Sequence, residues 1–557
     1  MLPDNEFIAD QFTQLSKLMD INGENAFKSK SYSVAAFTIE NYPAQLAGIP
    51  REKLFTIKGI GEAIAKKIIE IIETGELSLL QKLLEQTPPG VVEMLLIKGI
   101  GPKKISVIWK EMDIESLGEL LYACNENRLT LYKGFGEKTQ KNVKEAIEFY
   151  FKNQDSLLFA QVEPYAKQLD QKLKKAFPEK KFALAGEVKR QLEAIRQLEW
   201  VTTATHNECI VFFTANGFEQ IQDTPEAVSF KEPECLPVLL HLSSDQSFYT
   251  TVVLKSSSAG FSAALLQRGG NDIRETASSE EEVFSNMGLP FVPAALREQA
   301  DRLDLTPPLL IEPADIKGII HCHSNWSDGS NTLEELAEAC RVRNLEYLVI
   351  SDHSKSAFYA RGLQEERIME QQAAVDQLNK KLAPFKIFKS IECDILNDGK
   401  LDYADDVLAT FDLVIVSVHS NLKMIEEKAN QRLLKAIENP YTTILGHMTG
   451  RLLLSRKGYP VDHRMIIDAC AANKVVIELN AHPRRLDIDW RWIEYALQKG
   501  VMISIDPDAH VTGGFDDVRY GVLVAQKGGL TKENNLSSLP LQQMEKFLRN
   551  RKKEKGI

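Results

Sequence analysis

The sequence lacks the long apolar segments, paired cysteines and basic surplus that mark several classes of protein. No stretch among its 557 residues approaches the roughly 20 apolar residues that cross a bilayer, and the N-terminus MLPDNEFIADQF lacks the order of a signal peptide. The 7 cysteines include no CxxC pair, which argues against disulfides and a zinc-thiolate site. The formal charge of -11 excludes binding of polyanions over the whole surface. We therefore expect a cytoplasmic protein in which any contact with nucleic acid comes from local patches.

The length and the composition indicate several globular domains. A chain of 557 residues is far above the size of a single hydrophobic core, so we expect roughly two to four domains. Apolar residues make up 44% and charged residues 26% of the chain, which is typical of folded globular protein.

One pattern recurs three times in the first 150 residues, at Phe55, Leu95 and Arg128. The copies FTIKGIGEAIAKKIIEII, LLIKGIGPKKISVIWKEM and RLTLYKGFGEKTQKNVKEAI each join two amphipathic helices through a Gly-apolar-Gly turn. These units resemble helix-hairpin-helix motifs.

The turn of such a motif can hold a DNA phosphate without reading sequence. Glycine permits a close approach of the phosphate to the backbone, and the next helix offers unpaired N–H groups. The candidate phosphate-binding glycines are Gly59, Gly61, Gly99, Gly101, Gly134 and Gly136. Nearby lysines are Lys58, Lys98, Lys103, Lys104, Lys133 and Lys138. A plain helix connection is the alternative for one copy, but three copies favour DNA binding.

The segment AFKSKSYSVAAFTI places Lys28, Lys30 and Tyr32 just before an apolar helix. It resembles the phosphate-binding part of the lyase domain of family X DNA polymerases. The resemblance implies that Lys67 is the Schiff-base lysine, although Ala63 replaces a phosphate-binding lysine of that family. The alternative is a solvated helix face.

From Ile316 onward the chain alternates short apolar runs with helical segments, as a parallel α/β barrel does. The runs are IKGIIHCHSNWSDG, LEYLVISDHS, FKIFKSIECDI, FDLVIVSVHS, TTILGHMTG, KVVIELNAHP and VMISIDPDAH. Residue types that bind metals follow nearly every run, where the strands of a barrel converge on one face. These residues are His321, His323, Asp328, His353, Glu392, His419, His447, Asp508 and His510.

The order HxH, D, DH, E, H, GH and DxH resembles the PHP domain, a distorted (β/α)7 barrel of metal-dependent phosphoesterases. The resemblance implies three sets of ligands with Glu392 shared by two of them. They are His321, His323, Glu392 and Asp508; then Glu392, His419 and His447; then Asp328, His353 and His510. Imidazole and carboxylate ligands suit Mn²⁺, Zn²⁺ or Fe²⁺. We expect up to three divalent ions, with Mn²⁺ favoured for activity, and assign catalysis to Glu392, Asp508 and His353.

Basic residues near the same strand ends are candidates for holding the phosphates of a substrate. They are Lys355, Arg361, Arg451, Arg456 and Arg485.

The stretch FALAGEVKRQLEAIRQLEWV resembles the palm of family X polymerases, where a strand is followed by Gly-Ser, a basic pair and an Asp-x-Asp that binds Mg²⁺. Its matching positions are Gly186, Glu187, Lys189, Arg190, Gln197 and Glu199. Glutamate therefore replaces the serine, while Gln197 and Glu199 stand at the aspartates. A neutral amide cannot balance a divalent ion.

Two further departures concern the same site. The third metal-binding aspartate of the family is expected on a strand over Ser247–Lys255 (SFYTTVVLK), which contains no acid. The nucleotide-binding segment is shortened to LLQRGGN, over Leu265–Asn271. We expect the palm and the thumb to be folded but inactive.

The whole layout resembles the bacterial PolX type, a family X polymerase core followed by a PHP domain. We expect a multidomain protein with a lyase-like helical domain (1–80), a fingers-like helical domain (81–155), an α+β palm (156–235), a thumb (236–300), a linker (301–315) and the PHP barrel (316–557).

The resemblance implies a DNA-binding, metal-dependent 3'-5' exonuclease of base-excision repair in the bacterial cytoplasm or nucleoid. Abasic-site endonuclease and 3'-phosphatase activities remain alternatives within that class. The expected partner is gapped, nicked or 3'-ended DNA, and we expect a monomer. The alternatives outside that class are an active repair polymerase with the exonuclease, and a small-molecule phosphatase of the histidinol-phosphate type.

Overall fold

A computed structural model describes residues 3–40, 42, 44–151, 156–232, 235–270, 273 and 276–557. The chain forms two units, Met1–Tyr150 and Phe151–Ile557. Within the described residues, none of the helices combines the length and the apolar character that a membrane span requires. There is no disulfide among the described cysteines.

The first unit is helical. Its α-helices are α1 (Asn5–Asn22), α2 (Ala26–Glu40), α3 (Arg51–Leu54), α4 (Glu62–Thr74), α5 (Ser78–Gln86), α6 (Pro89–Glu93), α7 (Pro102–Lys110), α8 (Leu117–Asn125) and α9 (Glu137–Phe151), the last ending one residue beyond the unit. The predicted hairpins are present, because α4, α7 and α9 each begin directly after a Gly-apolar-Gly turn.

One local expectation in this unit is wrong. Lys28, Lys30 and Tyr32 lie inside α2 and not before it, because Asn25 starts the helix. The side-chain Oδ1 of Asn25 accepts hydrogen bonds from the backbone N–H groups of Phe27 and Lys28, at 2.9 and 3.3 Å.

The second unit begins with an α+β layer. Its strands are β1 (Leu157–Leu158), β2 (Phe182–Ala185), β3 (Ala194–Ile195), β4 (Leu198–Thr202), β5 (Glu219–Thr224), β6 (Ala227–Lys231) and β7 (Val238–Leu242), and its helices are α10 (Phe159–Ala176), α11 (Gly186–Lys189) and α12 (His206–Ala215). The main sheet has the order β2-β4-β7-β6-β5, in which only β4 and β7 run parallel. The fully buried Trp200 on β4 lies in its core.

The expectation of a strand over Ser247–Lys255 is wrong, because these residues form α13 (Phe248–Lys255). The helix buries Phe248, Val252 and Val253 on one side, a helical and not an alternating spacing. The strand beside β4 is instead β7, so the sheet continues past residue 235, where we expected the palm to end. Two further helices follow, α14 (Ala259–Gly269) and α15 (Glu280–Asn286), and Asn271 of the expected nucleotide-binding segment lies outside the described residues.

The C-terminal part consists of parallel strands with intervening helices. The strands are β8 (Gly318–Cys322), β9 (Tyr347–Ile350), β10 (Lys386–Lys389), β11 (Glu392–Asp394), β12 (Val414–Ser417), β13 (Thr442–Leu445), β14 (Val476–Asn480) and β15 (Ile503–Asp506). They form two sheets, β10-β9-β8 and β11-β12-β13-β14-β15. Each of the seven predicted runs contains a strand, and FKIFKSIECDI contains both β10 and β11.

Helices pack against both faces of these sheets. They are α16 (Leu333–Val342), α17 (Glu365–Leu382), α18 (Asp405–Leu408), α19 (Glu426–Ile437), α20 (His463–Asn473), α21 (Ile493–Gln498), α22 (Val518–Lys527) and α23 (Leu541–Lys555). Strand residues alternate between two apolar clusters; Leu348 and Ile350 enter one cluster, whereas Tyr347 and Val349 enter the other. Burial on both faces explains why these strands read as continuous apolar runs.

Isolated parallel bridges connect the two sheets. His353 pairs with Glu392, and Cys322 pairs with Ala509. Both bridges lie just beyond the carboxyl ends of strands, so they draw the loops that carry the predicted metal ligands toward one another.

Candidate metal centre

All nine predicted ligands lie at or just after the carboxyl ends of strands. They are His321 near the end of β8, His323 and Asp328 after β8, His353 after β9, Glu392 shortly after β10 as the first residue of β11, His419 after β12, His447 after β13, and Asp508 and His510 after β15. Each of them is buried except His419, whose side chain is 11% exposed.

Glu392 lies at the centre of the cluster. Its Oε1 is 3.0 Å from His447 Nε2, 3.1 Å from His419 Nε2 and 3.3 Å from His321 Nε2. Its Oε2 is 2.9 Å from His353 Nδ1 and 3.7 Å from His323 Nε2. One carboxylate therefore contacts five imidazole rings.

The ligand atoms form three groups in which all atoms lie within 4.8 Å of one another. The groups are His323, Asp328, His353 and His510; His321, His323 and Asp508; and His353, Glu392 and His419. These groups resemble the three expected sets, but the residues that belong to two groups at once differ from those expected. His323 and His353 each belong to two groups, while His447 contacts Glu392 without belonging to any.

The electrostatics of the cluster favour ionised carboxylates. Burial raises the pKa of Glu392, but the charges of His419, His321 and His353 outweigh it and hold the pKa well below its ordinary value. Burial likewise raises the pKa of Asp328, and its neighbours His353 and His510 reverse that effect. A divalent ion bound here would take the place of these positive charges, because histidine binds a metal in its neutral form.

Two acidic residues that the sequence analysis missed orient the imidazole rings. Glu478 on β14 is 2.5 Å from Nδ1 of His321 and also accepts the backbone N–H of His447 at 2.9 Å. Asp394 on β11 is 2.9 Å from Nδ1 of His419. A carboxylate on Nδ1 leaves Nε2 directed at a metal. The signal for Glu478 was a charged residue inside the apolar run KVVIELNA.

The donor set fits a metal centre. His321 Nε2 and His323 Nδ1 are buried and make no hydrogen bond among the described residues. An unsatisfied buried ring nitrogen costs free energy unless something else binds it. Imidazole and carboxylate donors without thiolate suit Mn²⁺, Zn²⁺ or Fe²⁺.

The five candidate phosphate-holding residues differ in their surroundings. Arg485 is buried with its Nε 3.7 Å from Asp508 Oδ2, and Arg361 is exposed. The other three hold neighbouring structure. Lys355 pairs with Glu365 at 2.6 Å, Arg451 pairs with Asp489, and Arg456 donates to the carbonyl of Gly450 at 2.8 Å.

In the palm, the predicted aspartate positions carry a different network. His241 on β7 and Glu199 on β4 lie side by side, with His241 Nε2 2.8 Å from Glu199 Oε2. The side chain of Gln197 also hydrogen-bonds to Glu199. A Cβ at Gly186, whose φ is +63°, would collide with the side chain of Glu199.

The basic pair of the palm is engaged with the following segment. Lys189 pairs with Glu280 and Arg190 with Glu298, each at 2.6 Å. Glu187 accepts hydrogen bonds from the backbone and the guanidinium of Arg196, at 2.7 to 3.0 Å. Both cations of the basic pair are thus paired with acids of this chain.

In the first unit, the turn glycines have the backbone that a phosphate-binding turn requires. Gly59, Gly99 and Gly134 have φ values of +91°, +100° and +95°.

The two lysines of α4 differ in surroundings. Lys66 is exposed and pairs with Glu62 at 2.7 Å, whereas Lys67 is half-buried.

Comparisons with known proteins agree with these observations. A helix-hairpin-helix domain family matches residues 3–77, and a SAM-like helix-hairpin-helix tandem family matches residues 91–148. The chain is 31% identical over 553 residues to the DNA polymerase/3'-5' exonuclease PolX of Bacillus subtilis (strain 168), covering 95% of this chain and 97% of that protein. It is 25% identical over 189 residues to a probable phosphatase of Thermoanaerobacter sp. (strain X514), covering 32% of this chain and 74% of that protein. A probable phosphatase of Caldicellulosiruptor bescii is 25% identical over 205 residues, or 34% of this chain and 78% of that protein.

Proposed function

The chain belongs to the bacterial PolX family, and we propose that it is a DNA-binding, metal-dependent 3'-5' exonuclease of DNA repair whose polymerase core is inactive. The observation that carries this proposal is the buried cluster of histidines and carboxylates around Glu392. A DNA substrate places the protein in the bacterial cytoplasm or nucleoid, and nothing in the proposal requires more than a monomer.

We propose that residues 316–557 form the distorted (β/α)7 PHP barrel. The parallel strands, the bridges between their two sheets and the ligands at the carboxyl ends support it. The lyase-like (1–80), fingers-like (81–155), palm, thumb and linker domains remain part of the proposal, with the palm extended to Leu242 because β7 belongs to its sheet.

Within the barrel, the nine residues would hold up to three divalent ions, with Glu392 shared between sites. Ions bound there would supply Lewis-acid chemistry and an activated water for hydrolysis of a phosphodiester. Glu478 and Asp394 fix the rings of His321 and His419. Arg485 contributes positive charge beside Asp508, where a substrate phosphate would be neutralised.

Catalysis by the palm is disfavoured by its own contacts. Nucleotidyl transfer by two metal ions needs carboxylates free to bind them. Glu199 is held instead by His241 and Gln197, and the cations Lys189 and Arg190 are paired with glutamates. In this proposal the palm serves as a platform that holds DNA.

The hairpins would hold DNA through backbone N–H groups at their glycine turns, which distinguishes this protein from a small-molecule phosphatase. Abasic-site endonuclease and 3'-phosphatase activities use the same hydrolytic chemistry and remain within the proposal. Lyase chemistry at Lys67 is a separate proposal, supported by the half-buried position of that lysine.

Manganese-dependent digestion of a 3'-recessed duplex by His353→Ala and Asp508→Ala tests the proposal. Both variants are expected to lose digestion and to keep binding to DNA. Unchanged digestion by either variant would overturn the assignment.

A further inference from the structure

Phe358 is a large apolar residue that the fold leaves in solvent beside the metal centre. It belongs to a 3-10 helix over Phe358–Ala360, five residues after the ligand His353, and it is 79% exposed. Burying a phenylalanine side chain stabilises a fold by about 1.5–3 kcal/mol, and the exposed ring of Phe358 does not contribute this stabilisation. Single exposed apolar residues are ordinary on a protein surface, so the surroundings of Phe358 must decide whether it has a role.

The loop that carries Phe358 is fixed at its base. The backbone N–H of Leu363 donates to the carbonyl of His353 at 2.9 Å, and that of Gly362 donates to Ala357 at 3.1 Å. The backbone N–H of Ser356 donates to Asp402 at 2.6 Å. The exposed ring is thus presented by a closed, hydrogen-bonded loop.

A second aromatic ring connects Phe358 to the metal ligands. The ring of Tyr359 lies 6.4 Å from the imidazole of His353 and 5.9 Å, edge to face, from the ring of Phe358. The centre of the Phe358 ring is therefore at most about 12 Å from a ligand ring. A nucleotide at or next to the phosphate under attack falls within this reach.

Positive charge accompanies the aromatic ring. The exposed Arg361 lies in the same loop, whereas Lys355 is paired with Glu365 at 2.6 Å. Aromatic rings next to basic residues bind single-stranded nucleic acid, because bases stack on the rings and the cations follow the phosphates. A substrate without a base gains nothing from such a ring.

We propose that Phe358 is a stacking platform for an unpaired nucleobase at the 3' end of the strand being digested. This inference rests on the proposed exonuclease function and deepens it by naming the substrate class. It makes Phe358 a specificity-determining residue that favours strands with bases over base-free phosphodiesters.

The experiment compares two oligonucleotides in the full-length, manganese-loaded protein. One is a single strand of thymidines, and the other carries tetrahydrofuran abasic analogues in its last three positions, so that the phosphates are retained without bases. Wild type is expected to prefer the first in kcat/KM by about 5- to 150-fold, the range that one stacked base gives. Phe358→Ala is expected to bring that ratio close to one, and Phe358→Trp to restore it.

A matched control and a second readout keep the test decisive. Val342→Ala removes another side chain, 71% exposed, at the end of α16, and should keep the wild-type ratio. Quenching of 2-aminopurine at the 3' terminus, measured in EDTA, should be strong in wild type and weak in Phe358→Ala.

The outcomes separate the two proposals. Failure of wild type to digest either oligonucleotide would overturn the exonuclease itself. Digestion with a wild-type ratio and wild-type quenching in Phe358→Ala would overturn the stacking platform alone. A changed oligomeric state in Phe358→Ala with an unchanged ratio would assign the ring to a protein contact and also overturn it.

Discussion

His241 Nε2 lies 2.8 Å from Glu199 Oε2, on neighbouring parallel strands at the centre of the palm sheet. Burial raises the pKa of Glu199, but hydrogen bonds from His241 and Gln197 outweigh it and hold the pKa below its ordinary value. The carboxylate at a metal-binding position of the family is thus satisfied by partners within the chain.

Removal of His241 should destabilise the palm without affecting digestion. His241→Ala leaves the ionised Glu199 without its main partner in a largely buried site, which costs about 1–3 kcal/mol. The melting temperature should fall while the rate of DNA digestion is retained. His206→Ala is the matched control, because its contact with Asp223 is exposed and worth about 0–1 kcal/mol. Equal melting temperatures of the two variants would contradict the structural role of the pair.

The positioning carboxylates of the barrel should affect metal affinity. Asp394→Asn and Glu478→Gln remove the negative charge at Nδ1 of His419 and His321, and loss of such a partner typically weakens metal binding about 10- to 100-fold. Calorimetric titration with Mn²⁺ measures this effect without any assay of activity. Asp376→Asn, at an exposed aspartate of α17, serves as the control. Wild-type affinity in both variants would show that the two carboxylates only fill space.

The glycine turns should control binding to DNA. Gly99→Ala places a side chain at a φ of +100°, which strains the turn and blocks close approach of a phosphate. We expect about tenfold weaker binding of DNA at low salt, since one of several phosphate contacts is lost. Gly217→Ala, at a φ of +86° outside the hairpins, controls for strain alone. Equal affinities of the two variants would argue that the turn is only a helix connection.

Lys527 should make the free energy of unfolding vary with pH in the alkaline range. It lies at 0% side-chain exposure between the barrel and the palm, and Nζ donates to the carbonyl of Arg190 at 2.8 Å. Burial lowers its pKa to about 8, against the attraction of Glu298 and Glu193. The native state releases this proton near pH 8, whereas the unfolded chain keeps it to about 10.4, so folding gains stability as pH rises between these values.

The comparison with Lys527→Met isolates this effect. The free energy of unfolding of wild type should rise relative to the variant by about 3 kcal/mol from pH 8 to pH 10.5, since one unit of pKa corresponds to 1.36 kcal/mol. Parallel pH profiles of the two proteins in denaturant titrations would contradict the lowered pKa.

The strands of the C-terminal part and the proximity of the nine side chains could be predicted from the sequence, because both follow from a local pattern. An apolar run ends and a metal-binding residue type follows, and parallel strands bring such ends together. His323 and His510 are far apart in the chain, yet their ring centres lie 4.3 Å apart for this reason. The helix-hairpin-helix units were equally accessible, since a glycine turn between amphipathic helices is a local signal.

The palm was harder to predict because its pairing is not local. The resemblance to family X polymerases placed a strand over SFYTTVVLK, but the apolar residues of this segment pack on one side of a helix. The strand that carries His241, VLLHL, offered no sign that it would lie beside Glu199. Glu478 and Asp394 were missed for a similar reason, because their role depends on which imidazole ring the fold brings to them.

The most direct test of the account is the fate of a 5'-labelled primer on a template with Mn²⁺ and all four deoxynucleoside triphosphates. Wild type should shorten the primer, and Glu392→Gln should leave its length unchanged, because the metal cluster has lost the charge at its centre and Glu199 of the palm is held by His241. Extension of the primer by Glu392→Gln would reveal an active polymerase and contradict the account, as would continued shortening.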